Sequence, residues 1–296
     1  MREFDLVTAR DAQHAIALLA AHAPSVRILA GGTDLLVDLK MAPDAPTVIV
    51  DISRAEDLKR IVMTDHGLSV GALATHSQIM RSTLIQQFVP ALAVAAHTIG
   101  AVQTRNLATL GGNLATAVPS MDSGPALFAL EALIAVAGPA GRRRMPIAEF
   151  FVGPRRTVLQ PGELLTEIVI PRASLGKPAD FQKFGLRKGQ ALALVNVAAS
   201  SWVDWERNAF LAPRIALGAV APTVIRAPGA EAFLEARTID PEAIAEAGRI
   251  AAAEAMPISD FRASAQYRLE LVAALTRRAL ANAYERAKER RYEERR

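Results

Sequence analysis

The stretch LAGGTDLL, Leu29 to Leu36, places two glycines, a threonine and an aspartate between apolar segments. Its apolar flanks indicate that the glycines lie in a short loop at the edge of a folded core. A glycine pair leaves the backbone uncovered and lets another group approach it closely. The stretch therefore predicts a loop at which a bulky group contacts the backbone.

A second glycine pair lies in TLGGNLATAVPSMD, Thr109 to Asp122. A group with two negative charges, such as a pyrophosphate, is held best by converging backbone N–H groups, which positions without side chains leave accessible. Asp122 is a natural acceptor for sugar or ribityl hydroxyls. Neither loop matches the dinucleotide fingerprint G-x-G-x-x-G or the P-loop, and each pair alone also fits an ordinary turn. The residues suited to an anion are Gly31, Gly32, Gly111 and Gly112, with Thr33, Thr109 and Asn113 beside them.

The composition is that of a folded protein of about two domains. The chain has 296 residues, of which 51% are apolar and 22% charged, enough to build buried cores. Its net charge of +4 is small, and the basic residues are dispersed until the final segment, so nothing requires a nucleic acid. The absence of cysteine excludes disulfides, thiolate catalysis, cysteinyl-flavin links and cysteine-ligated clusters. Any such centre must belong to a partner.

The N-terminus predicts a cytoplasmic protein. It reads MREFDLVTARDAQHAIALLAAH, in which acids interrupt a short apolar stretch, so it lacks the pattern of a signal peptide. The stretch from Leu84 to Thr104 has no charged residue, but Pro90 and several polar side chains interrupt it. We expect a buried helix and a loop there rather than a membrane span.

The first part of the chain, residues 1 to 55, reads as a small β–α–β unit. Thr8 is expected to cap a helix over 9 to 22, and a strand follows near Val26. The run TVIVDIS, which begins at Thr47, is rich in β-branched residues, as buried parallel strands are. This unit therefore predicts a lobe with a parallel sheet.

The rest of the chain predicts short alternating strands and then helices. The capping box THSQ, Thr75 to Gln78, opens a helix, and the segment Pro171 to Asp180 is rich in Pro, Gly and Ala, which suits a domain boundary. Beyond it come three strand-like runs and alanine-rich helices, one starting at Asp240 and the last near Ala263. The predicted fold class is α+β. The predicted domains are 1–175, with lobes 1–55 and 56–175, and 176–296.

Two patterns resemble catalytic motifs without predicting that chemistry. GLSVG, Gly67 to Gly71, satisfies G-x-S-x-G, but Ser69 falls in mid-strand, whereas a hydrolase elbow needs a sharp turn at the serine. The histidines lie without metal-binding spacing, so each is expected to be a surface residue or a hydrogen-bonded core residue. They are His14, His22, His66, His76 and His97.

Six ordered motifs resemble the FAD-binding medium subunit of molybdenum hydroxylases, the family of carbon monoxide dehydrogenase and xanthine dehydrogenase. They are LAGGTDLL, VGALATH, IGAVQTRNLATLGGNLATAVPSMDSGPAL, GELLTEIVIP, FQKFGLRKGQALALVNVAAS and DFRASAQYRLELVAALTRRAL. The resemblance covers about residues 3 to 283. It implies a vanillyl-alcohol-oxidase-type (PCMH) FAD-binding domain of two α/β lobes, and a C-terminal domain with a three-stranded antiparallel sheet and helices.

Position by position, the resemblance implies an FAD site and no catalytic side chain or metal ligand. The loops Ala30 to Asp34 and Thr109 to Asn113 would bind the pyrophosphate, and Asp122 would accept from the cofactor's hydroxyls. Leu165 would contact the isoalloxazine region, while Ile99 stands where some relatives place an aromatic ring. The full implied set is Leu29, Ala30, Gly31, Gly32, Thr33, Asp34, Leu35, Ile99, Thr109, Leu110, Gly111, Gly112, Asn113, Asp122, Leu165 and Lys183.

The resemblance also implies an oxidoreductase complex. A large molybdopterin subunit would oxidise the substrate, and a small subunit with two [2Fe–2S] clusters would pass electrons to FAD, which would deliver them to NAD⁺, oxygen or another acceptor. The expected assembly is a dimer of heterotrimers. Two other hypotheses remain open from the residues: a self-contained FAD-dependent oxidase of the same fold, and a non-catalytic module that binds a nucleotide or another anion.

Overall fold

The computed structural model describes residues 3–41 and 46–294. Lobe one is a three-stranded parallel sheet in the order β1-β3-β2, with two helices, which agrees with the predicted β–α–β unit. Val48 and Val50 of the central strand are buried, as expected for a parallel strand with both faces covered. The elements are β1 (Asp5–Thr8), α1 (Ala12–His22), β2 (Val26–Leu29), α2 (Leu35–Met41) and β3 (Val48–Asp51).

The start of α1 differs from the prediction. Thr8 is the last residue of β1 and pairs with Asp51 of β3, so it is part of the sheet. Asp11 caps the helix instead, and its side chain accepts a hydrogen bond from the His14 N–H at 2.7 Å. Two residue types suited to capping stand close together here, and the length of the strand decides which one is used.

Lobe two contains a five-stranded antiparallel sheet in the order β4-β5-β10-β6-β7 and six short helices. Its strands are β4 (Ile61–Thr64), β5 (Gly67–Gly71), β6 (Leu133–Gly138), β7 (Gly141–Pro146) and β10 (Leu164–Pro171), with a separate hairpin of β8 (Phe151–Gly153) and β9 (Arg156–Thr157). Its helices are α3 (His76–Arg81), α4 (Thr83–Phe88), α5 (Pro90–His97), α6 (Val102–Leu107), α7 (Leu110–Thr116) and α8 (Ser123–Ala129). The predicted capping box opens α3.

Ser69 lies in the middle of β5, as the alternating pattern predicts. It pairs with Val169 of β10, and its hydroxyl donates to a Glu167 carboxylate oxygen at 2.6 Å. A serine held in a strand ladder has no sharp turn to expose it, so the hydrolase reading fails on geometry.

The C-terminal domain has the three long antiparallel strands expected, with a fourth of two residues at one edge. The strands are β11 (Ala179–Gly185), β12 (Ala193–Asp204), β13 (Ala209–Gly218) and β14 (Ile225–Arg226), and the helices are α9 (Pro228–Leu234), α10 (Pro241–Glu254) and α11 (Ala265–Glu294). Asp240 caps α10 as predicted and accepts from the Ala243 N–H at 2.7 Å. Of the charged tail, Arg295 and Arg296 lie outside the described residues.

Helix α8 joins the C-terminal sheet to lobe two. It packs against β12 and β13, and the Ser200 hydroxyl of β12 donates to the Ala129 carbonyl at the end of α8, at 2.7 Å. Residue Asp122 immediately precedes α8, so this packing brings the C-terminal strands beside the predicted site. The domain limits 1–175 and 176–296 stay a prediction. Across the two described stretches, no helix is long and apolar enough to cross a membrane.

Candidate cofactor cleft

A cleft of about 1230 Å³ lies between lobe one and lobe two, and both glycine loops line it. Three of the predicted site residues are elsewhere. Leu29 is the last residue of β2, Leu110 is buried in the core of lobe two, and Lys183 contacts Asp122. The others line the cleft: Ala30, Gly31, Gly32, Thr33, Asp34, Leu35, Ile99, Thr109, Gly111, Gly112, Asn113, Asp122 and Leu165.

The first glycine loop, residues 30–34, presents unpaired backbone donors to the cleft. Within residues 3–41 and 46–294, the N–H groups of Gly31 through Asp34 donate to no protein acceptor. Gly32 has φ of +72°, in the left-handed region that glycine adopts without strain. The Gly32 carbonyl accepts a hydrogen bond from the Leu36 N–H, and the Asp34 carbonyl accepts one from the Asp38 N–H. These two bonds begin helix α2. Such a run of free amides suits an anion.

The second glycine loop, residues 109–113, is the start of helix α7, and its amides are already used. The Leu110 N–H donates to the Ala74 carbonyl at 2.9 Å, and the Gly111 N–H donates to the Ala72 carbonyl at 2.8 Å. The Gly112 N–H donates to the Thr109 hydroxyl at 3.1 Å. In the second loop the helix cap and the strand-like pairing therefore consume the Leu110, Gly111 and Gly112 donors. That amides of both loops converge on one anion stays a prediction.

The glycines of the two loops are needed for different structural reasons. A Cβ on Gly31 would lie 2.0 Å from the Leu107 carbonyl oxygen, and one on Gly111 would lie 2.6 Å from the Ala72 Cβ. Both are glycines because protein backbone passes close by. At Gly112 a Cβ would meet only the Thr109 hydroxyl oxygen, at 2.9 Å, apart from its own helix backbone. Gly112 is therefore the glycine of the second loop whose Cβ would be crowded by one side-chain atom and not by a neighbouring strand or loop backbone.

Asp122 is held in a buried cluster completed by the C-terminal domain. The Lys183 ammonium of β11 donates to its Oδ2 at 2.5 Å and to the Thr98 carbonyl at 3.0 Å, which fixes the segment just before Ile99. The Asn196 amide of β12 donates to Oδ1 at 2.9 Å. Burial raises the pKa of the Asp122 carboxyl, and the Lys183 charge and these hydrogen bonds oppose that rise.

Asn196 was not among the predicted site residues. The signal available was a lone amide inside the apolar strand ALALVNVAAS. A polar side chain in a fully buried strand needs a hydrogen-bond partner, but the pattern does not say which one.

His76 contradicts the prediction for the histidines. Its side chain is fully buried beside the cleft, and among residues 3–41 and 46–294 neither ring nitrogen has a hydrogen-bond partner. Burial, followed by the charge of Arg105, lowers the pKa of His76 to about 4, so the ring is neutral at pH 7. The backbone N–H of His76 donates to the Ala108 carbonyl at 3.1 Å, just before the second glycine loop.

An ion pair joins the two lobes across the cleft. Arg155, in the turn between β8 and β9, contacts Asp38 of α2, and both residues line the cleft. Arg155 has φ of +56° and donates its backbone N–H to the Ala117 carbonyl at 2.8 Å. The sequence did not predict this pair, because its members are far apart in the chain.

Throughout the ranges 3–41 and 46–294, no group of three histidines or acids is arranged to hold a metal ion.

Comparisons with known proteins cover both domains. The family described as FAD binding domain in molybdopterin dehydrogenase matches residues 2–173, and CO dehydrogenase flavoprotein C-terminal domain matches residues 181–283. The chain is 33% identical over 285 residues to 6-hydroxypseudooxynicotine dehydrogenase complex subunit alpha of Paenarthrobacter nicotinovorans, covering 96% of each chain. It is 32% identical to the xanthine dehydrogenase FAD-binding subunit of Escherichia coli O157:H7, covering 91% and 92%.

The fold is also similar to a solved structure. A chain of the carbon monoxide dehydrogenase from Hydrogenophaga pseudoflava that lacks the Mo-pyranopterin moiety of its cofactor superimposes with a TM-score of 0.91 at 31% identity. The match covers 96% of this chain and 98% of that one. The similarity therefore spans both lobes and the C-terminal domain.

Proposed function

The chain belongs to the family of FAD-binding subunits of molybdenum hydroxylases, and from that premise we propose that the cleft between its lobes holds FAD with the pyrophosphate at the first glycine loop. The protein is an electron-transfer subunit of an oxidoreductase complex. The observation that carries the assignment of the cleft is the run of unpaired amides from Gly31 to Asp34, which faces a space of about 1230 Å³ between the lobes.

The residues present fit a dinucleotide of this kind. The free amides of the first loop match an anionic centre, and Gly112 is in the cleft wall at the start of α7. Asp122, with lone pairs left beyond its bonds to Lys183 and Asn196, can accept from hydroxyls. Ile99 and Leu165 give an apolar surface for a ring system.

FAD, when bound, supplies the redox chemistry. The chain's own residues bind and orient it: the first loop binds the pyrophosphate, and Lys183 acts as a positioning residue that fixes Asp122 and the segment before Ile99. The side chain at Ile99 is aliphatic, so any contact with the flavin lacks aromatic stacking. We expect this to affect the reduction potential and the choice of acceptor.

The protein works in a complex of several subunits. We propose that a small subunit with two [2Fe–2S] clusters supplies the electrons and that a large molybdopterin subunit meets the substrate, in a cytoplasmic dimer of heterotrimers. The absence of cysteine in this chain supports the assignment of the clusters to a partner. NAD⁺ or oxygen would accept the electrons from the flavin.

The self-contained oxidase has less support. The cleft wall carries no tyrosine, phenylalanine or tryptophan, and its histidine is sealed from solvent. The non-catalytic module would bind a nucleotide without passing electrons. Steady turnover of a small alcohol by the isolated chain would support the oxidase, whereas a folded chain that takes up no FAD would favour the non-catalytic module.

The cleft assignment is tested by incubating the purified chain with FAD, removing the excess and recording the flavin absorption that stays. We expect Gly112→Ala to lower FAD affinity roughly tenfold, because the methyl group projects from a residue of the cleft wall. Its Cβ would lie 2.9 Å from the Thr109 hydroxyl that caps α7, so the melting temperature without FAD is measured alongside and a loss of about 1 kcal/mol is expected. Gly153→Ala is the matched control, since a Cβ there meets nothing within 4 Å and the residue is outside the cleft wall. Unchanged affinity in a folded Gly112→Ala chain would contradict the assignment.

A further inference from the structure

We propose that His76 is a further cofactor-positioning residue whose ring nitrogen hydrogen-bonds an oxygen of the dinucleotide in the cleft. The inference rests on the proposed function, because it needs a ligand between the lobes. His76 is the last residue of the VGALATH motif, but it is not among the FAD-site residues that the family resemblance implies, and it lies outside the two glycine loops.

The position of His76 connects it to both loops. It is the first residue of α3, directly after Thr75, which forms a β-bridge with Thr109. Its backbone N–H donates to the Ala108 carbonyl, and Ala108 is also in the segment against which Gly31 packs. The imidazole therefore lies where the two glycine loops meet, and it forms part of the cleft wall.

Without a ligand, the buried imidazole of His76 lowers the stability of the chain. A neutral imidazole has one N–H donor and one acceptor nitrogen, and both are buried here without a partner. Since a buried polar group without a hydrogen bond destabilises the fold, an apolar side chain of similar shape would make the empty chain more stable. The histidine gains a partner only if something else enters its surroundings.

The groups around the His76 ring indicate that its hydrogen-bond partner comes from the cleft. Solvent does not reach either nitrogen. The nearby Arg105 has no acceptor atom for the imidazole N–H, and among the described residues its guanidinium donates to the Ile99 carbonyl at 2.9 Å and not to the ring. Its positive charge also keeps the ring neutral, with one N–H to give. The bound cofactor is rich in acceptor oxygens, in the pyrophosphate, the ribityl chain and the flavin. Because the His76 side chain is fully buried, the proposal requires the cleft wall to move when the cofactor binds.

The experiment uses His76→Phe and His76→Gln in the full chain, with the melting temperature measured without and with saturating FAD and the dissociation constant measured by flavin fluorescence. His76→Phe keeps a flat ring and removes both nitrogens. We expect it to melt at the same or a higher temperature when empty, yet to bind FAD roughly tenfold more weakly, the effect of one lost hydrogen bond. His76→Gln restores a donor, so its FAD affinity should lie between those of His76→Phe and the unmodified chain.

The control is His66→Phe, because His66 is exposed in the turn between β4 and β5 and is not part of the cleft wall. It should bind FAD like the unmodified chain. If His76→Phe also binds FAD with unchanged affinity, the proposal is overturned and the ring only fills the wall. If the folded unmodified chain and His66→Phe retain no FAD, the proposed cleft function fails first, and His76 loses its role with it.

Discussion

The two loops that line the cleft share a Gly-Gly pair, yet the structure uses the two pairs differently. In the first loop the amides from Gly31 to Asp34 have no acceptor among the described residues, and Gly32 adopts a left-handed conformation. In the second loop the amides of Gly111 and Gly112 are already hydrogen-bonded within the chain. The first loop therefore has the free donors that the proposed pyrophosphate site needs, whereas the second is a helix start packed tightly against the strand end at Ala72.

The comparison also separates two reasons for a glycine. At Gly31 and Gly111 the missing side chain makes room for another segment of the same protein, while at Gly112 a Cβ would be crowded only by the Thr109 hydroxyl of the same helix start. A glycine at a binding site is thus informative about a ligand only after the protein neighbours have been accounted for. The following variants and conditions test this difference, beginning with the largest expected effect.

Gly31→Ala should lower the free energy of unfolding more than any other variant in this comparison. Its Cβ would lie 2.0 Å from the Leu107 carbonyl oxygen, so backbone must move and the loops must separate. We expect the free energy of unfolding to fall by about 3 kcal/mol or more, together with loss of FAD. Urea unfolding followed by circular dichroism measures this, with Gly112→Ala as the comparison. A midpoint equal to that of the unmodified chain would mean that Gly31 is not constrained by packing.

Acid should lower the free energy of unfolding through protonation of His76, which lies beside the second loop. The pKa of this ring is about 4 in the fold and about 6.5 in an unfolded chain, so between these values the unfolded state binds more protons. Stability is therefore greatest above pH 6.5 and falls as the pH drops toward 4, by roughly 2–3 kcal/mol.

The measurement is the free energy of unfolding of the empty chain against pH, with and without His76→Phe. Carboxylates titrate in the same range in both chains, so the difference between the two curves isolates the histidine. Parallel curves from pH 7 to pH 4 would show that His76 does not resist protonation in the fold.

Thr109→Ala should have a moderate effect, and mainly on stability. It removes the hydroxyl that accepts from the Gly112 N–H and caps α7, which costs about 1 kcal/mol. Thr109→Ser keeps the hydroxyl and should restore most of the stability. Calorimetry of the three chains checks this. A large loss of FAD affinity at unchanged stability would show instead that Thr109 binds the ligand directly, which would make the loops more alike than we infer.

The ion pair between Asp38 and Arg155 should have the smallest effect. Both side chains are about half exposed, so solvent screens their attraction. A double-mutant cycle with Asp38→Asn and Arg155→Gln should give a coupling of roughly 0.2–1 kcal/mol that decreases with salt. A coupling of several kcal/mol, independent of salt, would mean that the lobes are held together by this contact rather than by the packing between the loops.

Local patterns predicted most of the fold. The β-branched run at Thr47, the capping box at Thr75 and the Asp240 cap each describe a few neighbouring residues, and neighbours decide those structures. The prediction failed at Thr8 because the same short segment offers a second cap at Asp11, and only pairing with β3 selects between them. The family resemblance added the arrangement of lobes that local patterns do not contain.

The parts of the site that escaped prediction depend on distant contacts. Asp38 and Arg155 come together from different lobes, and Lys183 reaches Asp122 from a different domain. The sequence placed His76 correctly in a helix start but gave no means of knowing that its ring would be left without a partner. Similarly, the reason for Gly31 is the backbone at Leu107, which no local pattern relates to it.

The cluster around Asp122 has a consequence for how the protein unfolds. Its two buried donors, Lys183 and Asn196, come from the C-terminal sheet, while the carboxylate belongs to lobe two. Separating the two domains would break the Lys183 ion pair and the Asn196 hydrogen bond together, and it would expose the surface where α8 packs on β12 and β13. We therefore expect the cleft and the C-terminal sheet to unfold together, and a chain cut by a protease in the connecting segment to stay associated.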